Sequence, residues 1–170
     1  VIYVCHFGGL IPAGPGPSHQ SVRDISLFGA LPNCTIIEPC SAREAELALD
    51  WCVEEARESC MLRLAIGPSP RAIAVPPQYA FSAGRGVTLL VGTDVLVFSY
   101  GPVMLNEVLS AAEALSGKGL SVAVVNMRWL NRVDGAWLRA LVEPFELVVT
   151  VDNHSTVGGL GDSMLRALAA

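Results

Sequence analysis

The stretch Thr150-Val151-Asp152-Asn153-His154-Ser155-Thr156-Val157-Gly158-Gly159-Leu160-Gly161 decides how this chain is read. A solid apolar run over residues 147–151 enters it, and a helix-like tail over 162–169 leaves it. The chain thus passes from a buried strand through a polar turn into three glycines within four residues at a helix start. Glycines there let backbones approach closely or take positive φ, and they leave helix N–H groups uncovered. Two readings stay open. His154 and residues 158–161 build an anion pocket or subunit contact, or they pack the last helix closely on its strand. Close packing is the commoner use of such turns.

Working back from that junction, residues 86–170 read as one α/β unit. Strands are expected at 87–91 and 95–100, joined by Gly92-Thr93-Asp94 as a tight hairpin. Pro102 opens a helix to Ser116 with an apolar stripe of Val103, Leu105, Val108, Leu109, Ala112 and Leu115, and Gly117-Lys118-Gly119 stops it. A strand at 120–125, a short helix at 134–141 capped by Asp134, and the strand at 147–151 follow. Strands separated by helices imply a mainly parallel sheet, with the hairpin as its antiparallel member.

Residues 1–66 form a second α/β pattern: a strand at 1–5, a Gly- and Pro-rich loop at 6–18, a helix at 19–31 and a strand at 34–38. Ser41 with Glu44 three residues on fits a capping box, starting a helix that runs to about Glu58. A strand at 60–66 closes the segment. Between the two patterns, Pro68, Pro70, Pro76 and Pro77 mark 67–85 as a linker on an extended path. The fold class is α/β, as two three-layer units, the second with a mainly parallel mixed sheet.

Composition narrows the function. Of 170 residues, 52% are apolar, ample for a core. A net charge of −5 without any basic cluster argues against a nucleic-acid partner. The longest apolar runs fall far short of a membrane span, and no charged start with an apolar signal region appears. The five cysteines (Cys5, Cys34, Cys40, Cys52 and Cys60) lack CxxC spacing, which favours free buried thiols, no metal, and a reducing cytoplasmic setting. Trp51, Trp129 and Trp137 sit in contexts that favour packing or an interface. The chain opens directly on an apolar strand, Val1-Ile2-Tyr3-Val4-Cys5, so a fragment of a longer polypeptide is expected.

With these elements placed, the chain resembles the transketolase superfamily over nearly all its length. The later unit carries Gly92, 94–98, Gly101, Ala111-Ala112, Gly119-Leu120, 122–128 and Asp134, then Val149-Thr150-Val151-Asp152-Asn153-His154 and Gly158-Gly159-Leu160-Gly161. These match the family's C-terminal domain in order and spacing. The earlier unit carries Gly16-Pro17-Ser18-His19-Gln20, Asp24-Ile25-Ser26-Leu27-Phe28, Ala30-Leu31-Pro32-Asn33, Glu38-Pro39-Cys40-Ser41 and Glu44. It resembles the second half of the pyrimidine-binding domain, so residues 1–66 are expected to be a partial pyrimidine-binding domain.

The resemblance implies thiamine diphosphate with Mg²⁺ as cofactor of the complete enzyme. It implies transfer of two-carbon ketol units between sugar phosphates, or a 1-deoxyxylulose-5-phosphate synthase-like condensation of a 2-oxo acid. The split transketolases' C-terminal subunit looks most similar; beta subunits of 2-oxo acid dehydrogenases are rivals, and a non-catalytic dimerisation or regulatory module is the alternative. The resemblance makes His19 the histidine that faces substrate and His6 a second active-site histidine, both catalytic; Ser18, Gln20 and Arg63 become substrate-binding. A histidine at the mouth of a strand–loop–helix crevice can donate to a sugar hydroxyl or move a proton, and capping of the next helix is its plain alternative.

Three departures matter. Pro12-Ala13-Gly14-Pro15-Gly16 lacks the acidic residues usual before this loop, and Ile66 stands where a second arginine is expected, with Arg71 a possible substitute. The glutamate that acts on the aminopyrimidine and the Gly-Asp-Gly…Asn diphosphate site are both missing from these residues. The expected partners are therefore an upstream domain or a separate diphosphate-binding subunit, in a homo-oligomer, and the chain alone is expected to bind no cofactor and to be inactive.

Overall fold

The computed structural model describes residues 1–10, 16–66 and 71–170. Its elements run β1 (Ile2–His6), α1 (Asp24–Gly29), β2 (Cys34–Ile37), α2 (Ala42–Glu54), β3 (Ser59–Leu64), β4 (Val87–Leu90), β5 (Val95–Ser99), α3 (Pro102–Ser116), β6 (Val122–Asn126), α4 (Gly135–Val142), β7 (Leu147–Thr150) and α5 (Leu160–Ala169). Among the described residues they build two sheets, β1-β3-β2 and β4-β6-β5-β7. The first sheet is parallel throughout. In the second, β5 pairs in parallel with β6 and β7, while β4 runs antiparallel to β6.

β3, which lies between β1 and β2, is buried from Cys60 to Arg63. β6, Val-Ala-Val-Val-Asn, is buried at all five positions. Both its faces are covered, as expected of a central strand between helices. β4 alternates half-buried and exposed residues, the pattern of an edge strand. This corrects the expected hairpin: β4 and β5 are adjacent in sequence but not paired, because β6 lies between them. Thr93 N donates to Ser121 Oγ (3.2 Å), Asp94 N to Ser121 O (2.9 Å), and Ser121 N to Asp94 Oδ2 (2.7 Å). The turn is thus tied to the start of β6 and closes no hairpin.

Local signals at helix starts are met with two adjustments. Asp134 caps α4 by accepting from Trp137 N at 3.0 Å. Ser41 Oγ caps α2 by accepting from Glu44 N at 3.2 Å, but the Glu44 carboxylate accepts from Cys40 N (2.7 Å) rather than from Ser41. The expected helix at 19–31 shortens to α1, because residues 16–23 form a turn held by Gly16 O, which accepts from His19 N (3.1 Å) and Gln20 N (3.4 Å).

The two sheets share one apolar core. Ile36, Met61 and Leu62 from the first join Leu96, Phe98 and Val125 from the second in one buried cluster. Trp129 belongs to this cluster, fully buried and edge-on to Trp51 with ring centroids 4.8 Å apart. Around it, residues 128–131 run beside β2. Glu38 N donates to Arg128 O (3.0 Å), Leu130 N to Ile36 O (2.9 Å), and Ile36 N to Asn131 Oδ1 (2.8 Å). That pairing covers the outer edge of β2. The outer edge of β1 stays open, with Val1, Ile2, Tyr3 and Val4 each at least one-third exposed.

Residues 67–70 of the expected linker lie outside the described residues. The remainder, 71–85, forms no strand or helix, as its prolines require, but it is no free tether. Ile73 is buried, and Tyr79 and Phe81 stack on the Arg128 guanidinium, 4.8 and 4.5 Å from their ring centres. No helix of the described residues is long and apolar enough to cross a membrane.

Candidate active site

Parallel strands that end together leave a crevice at their carboxyl ends, where ligands gather in α/β sheets. Here β1 and β3 end together, His6 opposite Leu64, and Gly8 N donates back to Leu64 O at 3.4 Å. An open cavity of 410 Å³ lies there, lined by His6, Leu64, Ala65, Cys40, Ser41 and Pro102, among others. It sits at the starts of both α2 and α3.

The loop from His6 to Val22 begins with Phe7 at φ +63°, a left-handed conformation uncommon for a bulky residue. It then crosses itself: Gly9 N donates to Ser21 O (2.6 Å) and Ser21 N to Gly9 O (3.1 Å). The crossing holds the base of the loop that carries the candidate residues. His19 stands exposed, edge-on to Phe7 at 5.3 Å, with Ser18 Oγ 2.9 Å from its Nδ1. Contact at Nδ1 turns Nε2 to the opposite side of the ring. Gln20 Nε2 donates to Leu10 O at 2.6 Å, a bond internal to the loop. Ser18, His19 and Gln20 are therefore brought together on one loop. His6 lies at the other end of that loop and lines the cavity, which His19 does not.

Arg63 is elsewhere, and its expected role is corrected. Its side chain is fully buried. Nε donates to Asp24 Oδ2 (2.6 Å), Nη2 to Asn153 O (3.0 Å), Asp24 Oδ1 (3.3 Å) and Ser21 O (3.4 Å), and Nη1 pairs with Glu38. Its ring neighbour is Tyr100, 5.9 Å from the guanidinium carbon. With its donors occupied and no exposure, it has nothing to offer a substrate. Burial alone would lower the Arg63 pKa, but Glu38 and Asp24 outweigh it and hold the group above its ordinary value. Burial also pushes the Glu38 carboxyl up, against the pull of Arg63. Arg71 is likewise no substitute, since it forms a two-pronged surface pair with Glu113 at 2.7 and 3.0 Å.

Sequence reading missed Asp24, Glu38, Tyr100 and Asn153, which surround Arg63. The available signal was an acid beside buried apolar residues: Asp24 precedes Ile25, and Glu38 follows Ile36-Ile37. A second buried polar cluster also went unread. Asn126 Nδ2 donates to both Glu44 carboxylate oxygens at 3.0 Å, Tyr79 donates its hydroxyl to the same carboxylate, and Arg128 Nη1 lies 3.7 Å from it. It joins the start of α2 to the end of β6.

The glycine turn serves packing. Asp152 accepts from Leu160 N (3.1 Å), Gly161 N (3.2 Å) and the Tyr100 hydroxyl (2.8 Å), and Asp162 accepts from Gly158 N (2.6 Å). An anion at the start of α5 would meet N–H groups that carboxylates already hold. A diphosphate does not fit there. Among the described residues, no group of three or more His, Cys, Asp or Glu could hold its metal ion either.

Comparison with known proteins gives this geometry its context. Residues 84–170 match the family described as transketolase, C-terminal domain, and residues 1–66 match the transketolase pyrimidine binding domain. The chain is 35% identical over 166 residues to a transketolase family protein of Sinorhizobium fredii, covering 97% of this chain and 47% of that protein. It is 30% identical over 170 residues to 1-deoxy-D-xylulose-5-phosphate synthase of Prochlorococcus marinus, covering 99% and 26%. A solved structure described as "Split gene transketolase, inactive beta4 tetramer" superposes with a TM-score of 0.85 at 28% identity, covering 99% and 53%. A transketolase of Pichia stipitis superposes at 0.77 over 92% and 24%, and at 20% identity shows the shared fold alone. The chain spans about half, or less, of the length of these relatives.

Proposed function

Because the chain belongs to the transketolase family, we propose that it supplies the substrate-facing part of a thiamine diphosphate-dependent transferase and that a partner supplies the cofactor. The family depends on that cofactor, which when bound would supply the nucleophilic carbon chemistry that these residues lack. The observation that carries this reading is the loop bearing Ser18-His19-Gln20, fixed at the carboxyl end of β1 beside a cavity that His6 lines. In this role His19 donates to, or takes a proton from, a substrate hydroxyl, with Ser18 orienting the ring. Ser18 and Gln20 shape the approach, and His6 contacts substrate from the cavity side. The diphosphate-binding half comes from a preceding domain or a separate subunit. The open apolar edge of β1 is where that half, or another copy in a homo-oligomer, adds to the sheet. Five free thiols fit a cytoplasmic setting.

Calorimetry with thiamine diphosphate and Mg²⁺ tests the division of labour. Binding is expected for the complete assembly and not for these 170 residues alone. An assembly that binds no cofactor would leave the family's fold serving as a dimerisation or regulatory module.

One observation bears on substrate class. Among the described residues no lysine or arginine lines the His6 cavity, Arg63 is buried, and Ile66, two residues past the end of β3, stands 40% exposed. Phosphate recognition relies on arginine forks or lysine, so this chain favours a substrate without phosphate, such as a 2-oxo acid with a plain aldehyde. The assembly is expected to use glyceraldehyde as well as glyceraldehyde 3-phosphate. A strong preference for the phosphorylated acceptor would return the reading to ketol transfer between sugar phosphates.

A further inference from the structure

The turn at Asn153-His154-Ser155 belongs to the second sheet's unit, yet its hydrogen bonds reach the first. Leu10 N donates to Asn153 Oδ1 at 3.0 Å, just after the Gly9–Ser21 crossing. At the far end of the same loop, Ser155 N donates to Val22 O at 2.9 Å, and Ser26 N to His154 Nε2 at 3.4 Å. The turn itself is anchored from below. Asn153 N donates to the Tyr100 hydroxyl (3.1 Å), and Asn153 O accepts from Arg63 Nη2, which also reaches Ser21 O. Asn153 is buried, and a Cβ on Gly9 would fall 2.0 Å from its Nδ2. Side chain and loop are therefore in close contact, and glycine is required at Gly9 both for space and for its φ of +81°.

We infer that Asn153 is a positioning residue: it clamps the loop that carries Ser18-His19-Gln20, so the second unit sets the geometry of a site to which it contributes no reacting group. The two ends of the loop, Leu10 and Val22, are held by Asn153 and Ser155 of one turn, and that turn is fixed to the buried Arg63 network. Freeing either end would let the His19 ring leave Phe7. What the positioned histidine does rests on the function proposed above; the clamp itself does not.

Hydrogen exchange and NMR on the 170-residue chain test the clamp directly. Asn153→Ala removes the acceptor, and exchange at the Leu10 amide is expected to quicken about tenfold or more, the loss of one hydrogen bond's protection. The ring-current shift that Phe7 imposes on His19 should collapse with it, while the Val151 amide bonded to Phe98 O keeps its protection. Asn153→Asp keeps an acceptor oxygen and should restore Leu10. Should Asn153→Ala fail to fold, Gly9→Ala disrupts the same contact from the loop side, because the added Cβ displaces the Asn153 side chain. An unchanged Leu10 amide and His19 signal in whichever variant folds overturns the inference, as does equal loss in Asn153→Asp. In the complete assembly, Asn153→Ala should lower kcat/KM by about tenfold at unchanged cofactor affinity. If His19→Ala leaves turnover intact while Asn153→Ala still frees Leu10, the clamp stands and the functional reading fails.

Discussion

Replacing Arg63 by methionine is expected to remove about 3–5 kcal/mol of stability, the usual result of stripping one partner from a buried charge pair. That is a large share of the roughly 5–15 kcal/mol that holds a typical domain. Methionine fills much of the volume, so the loss comes from what is left behind. Asp24 and Glu38 stay buried without their cation, and the carbonyls of Ser21 and Asn153 lose a donor. Urea denaturation measures the change, and a loss below about 1 kcal/mol would show that the network does not hold the two units together. Arg63→Lys should fail nearly as badly, because a single ammonium cannot reach acceptors spread around a planar fork. Adding Asp24→Asn and Glu38→Gln to the methionine variant should recover part of the loss by discharging the site.

The same variant has a defined pH signature. Burial already raises the folded-state pKa of Glu38, and loss of Arg63 removes the charge that pulls it down. An acid whose folded pKa lies above its unfolded value of about 4.3 is protonated more readily in the folded state. Its best contribution is present below that unfolded value and is lost as pH rises through the folded pKa. The methionine variant is thus expected to be nearest to wild type in acid and to fall further behind as pH rises.

Much of this architecture was legible because periodicity and helix caps are local. The apolar stripe of α3, the Asp134 cap and the Ser41 cap all act within one or two turns of chain. Strand order is not local. Gly92-Thr93-Asp94 reads as a hairpin turn, and only the fully buried character of β6 reveals that it takes the middle place instead. Arg63 was misread for a related reason. A charged residue in a strand suggests a ligand when its partners, Asp24 and Glu38, lie 39 and 25 positions away. Resemblance transferred the residue type but not its burial. The same holds for the candidate site: the Ser18-His19-Gln20 loop could be named from sequence, but the residue that clamps it lies 143 positions beyond Leu10 and reads there as part of a glycine turn.

His19→Ala in the complete assembly is expected to lower kcat by about 10²–10⁴, the range typical of losing a positioned acid or base. Its stability should barely move. The ring is exposed, and among the described residues it meets Phe7 and Ser18, both in its own loop. That contrast separates it from Arg63, whose loss would damage folding first and activity only as a consequence. His6→Ala provides the comparison, since His6 lines the cavity between β1, β3, α2 and α3 and should act mainly on substrate binding, raising KM more than it lowers kcat. Steady-state kinetics with thermal melts on the same samples measures both. A His19 variant that turns over at the wild-type rate would make the loop a scaffold, and the proton transfer would then have to come from a group on the partner half.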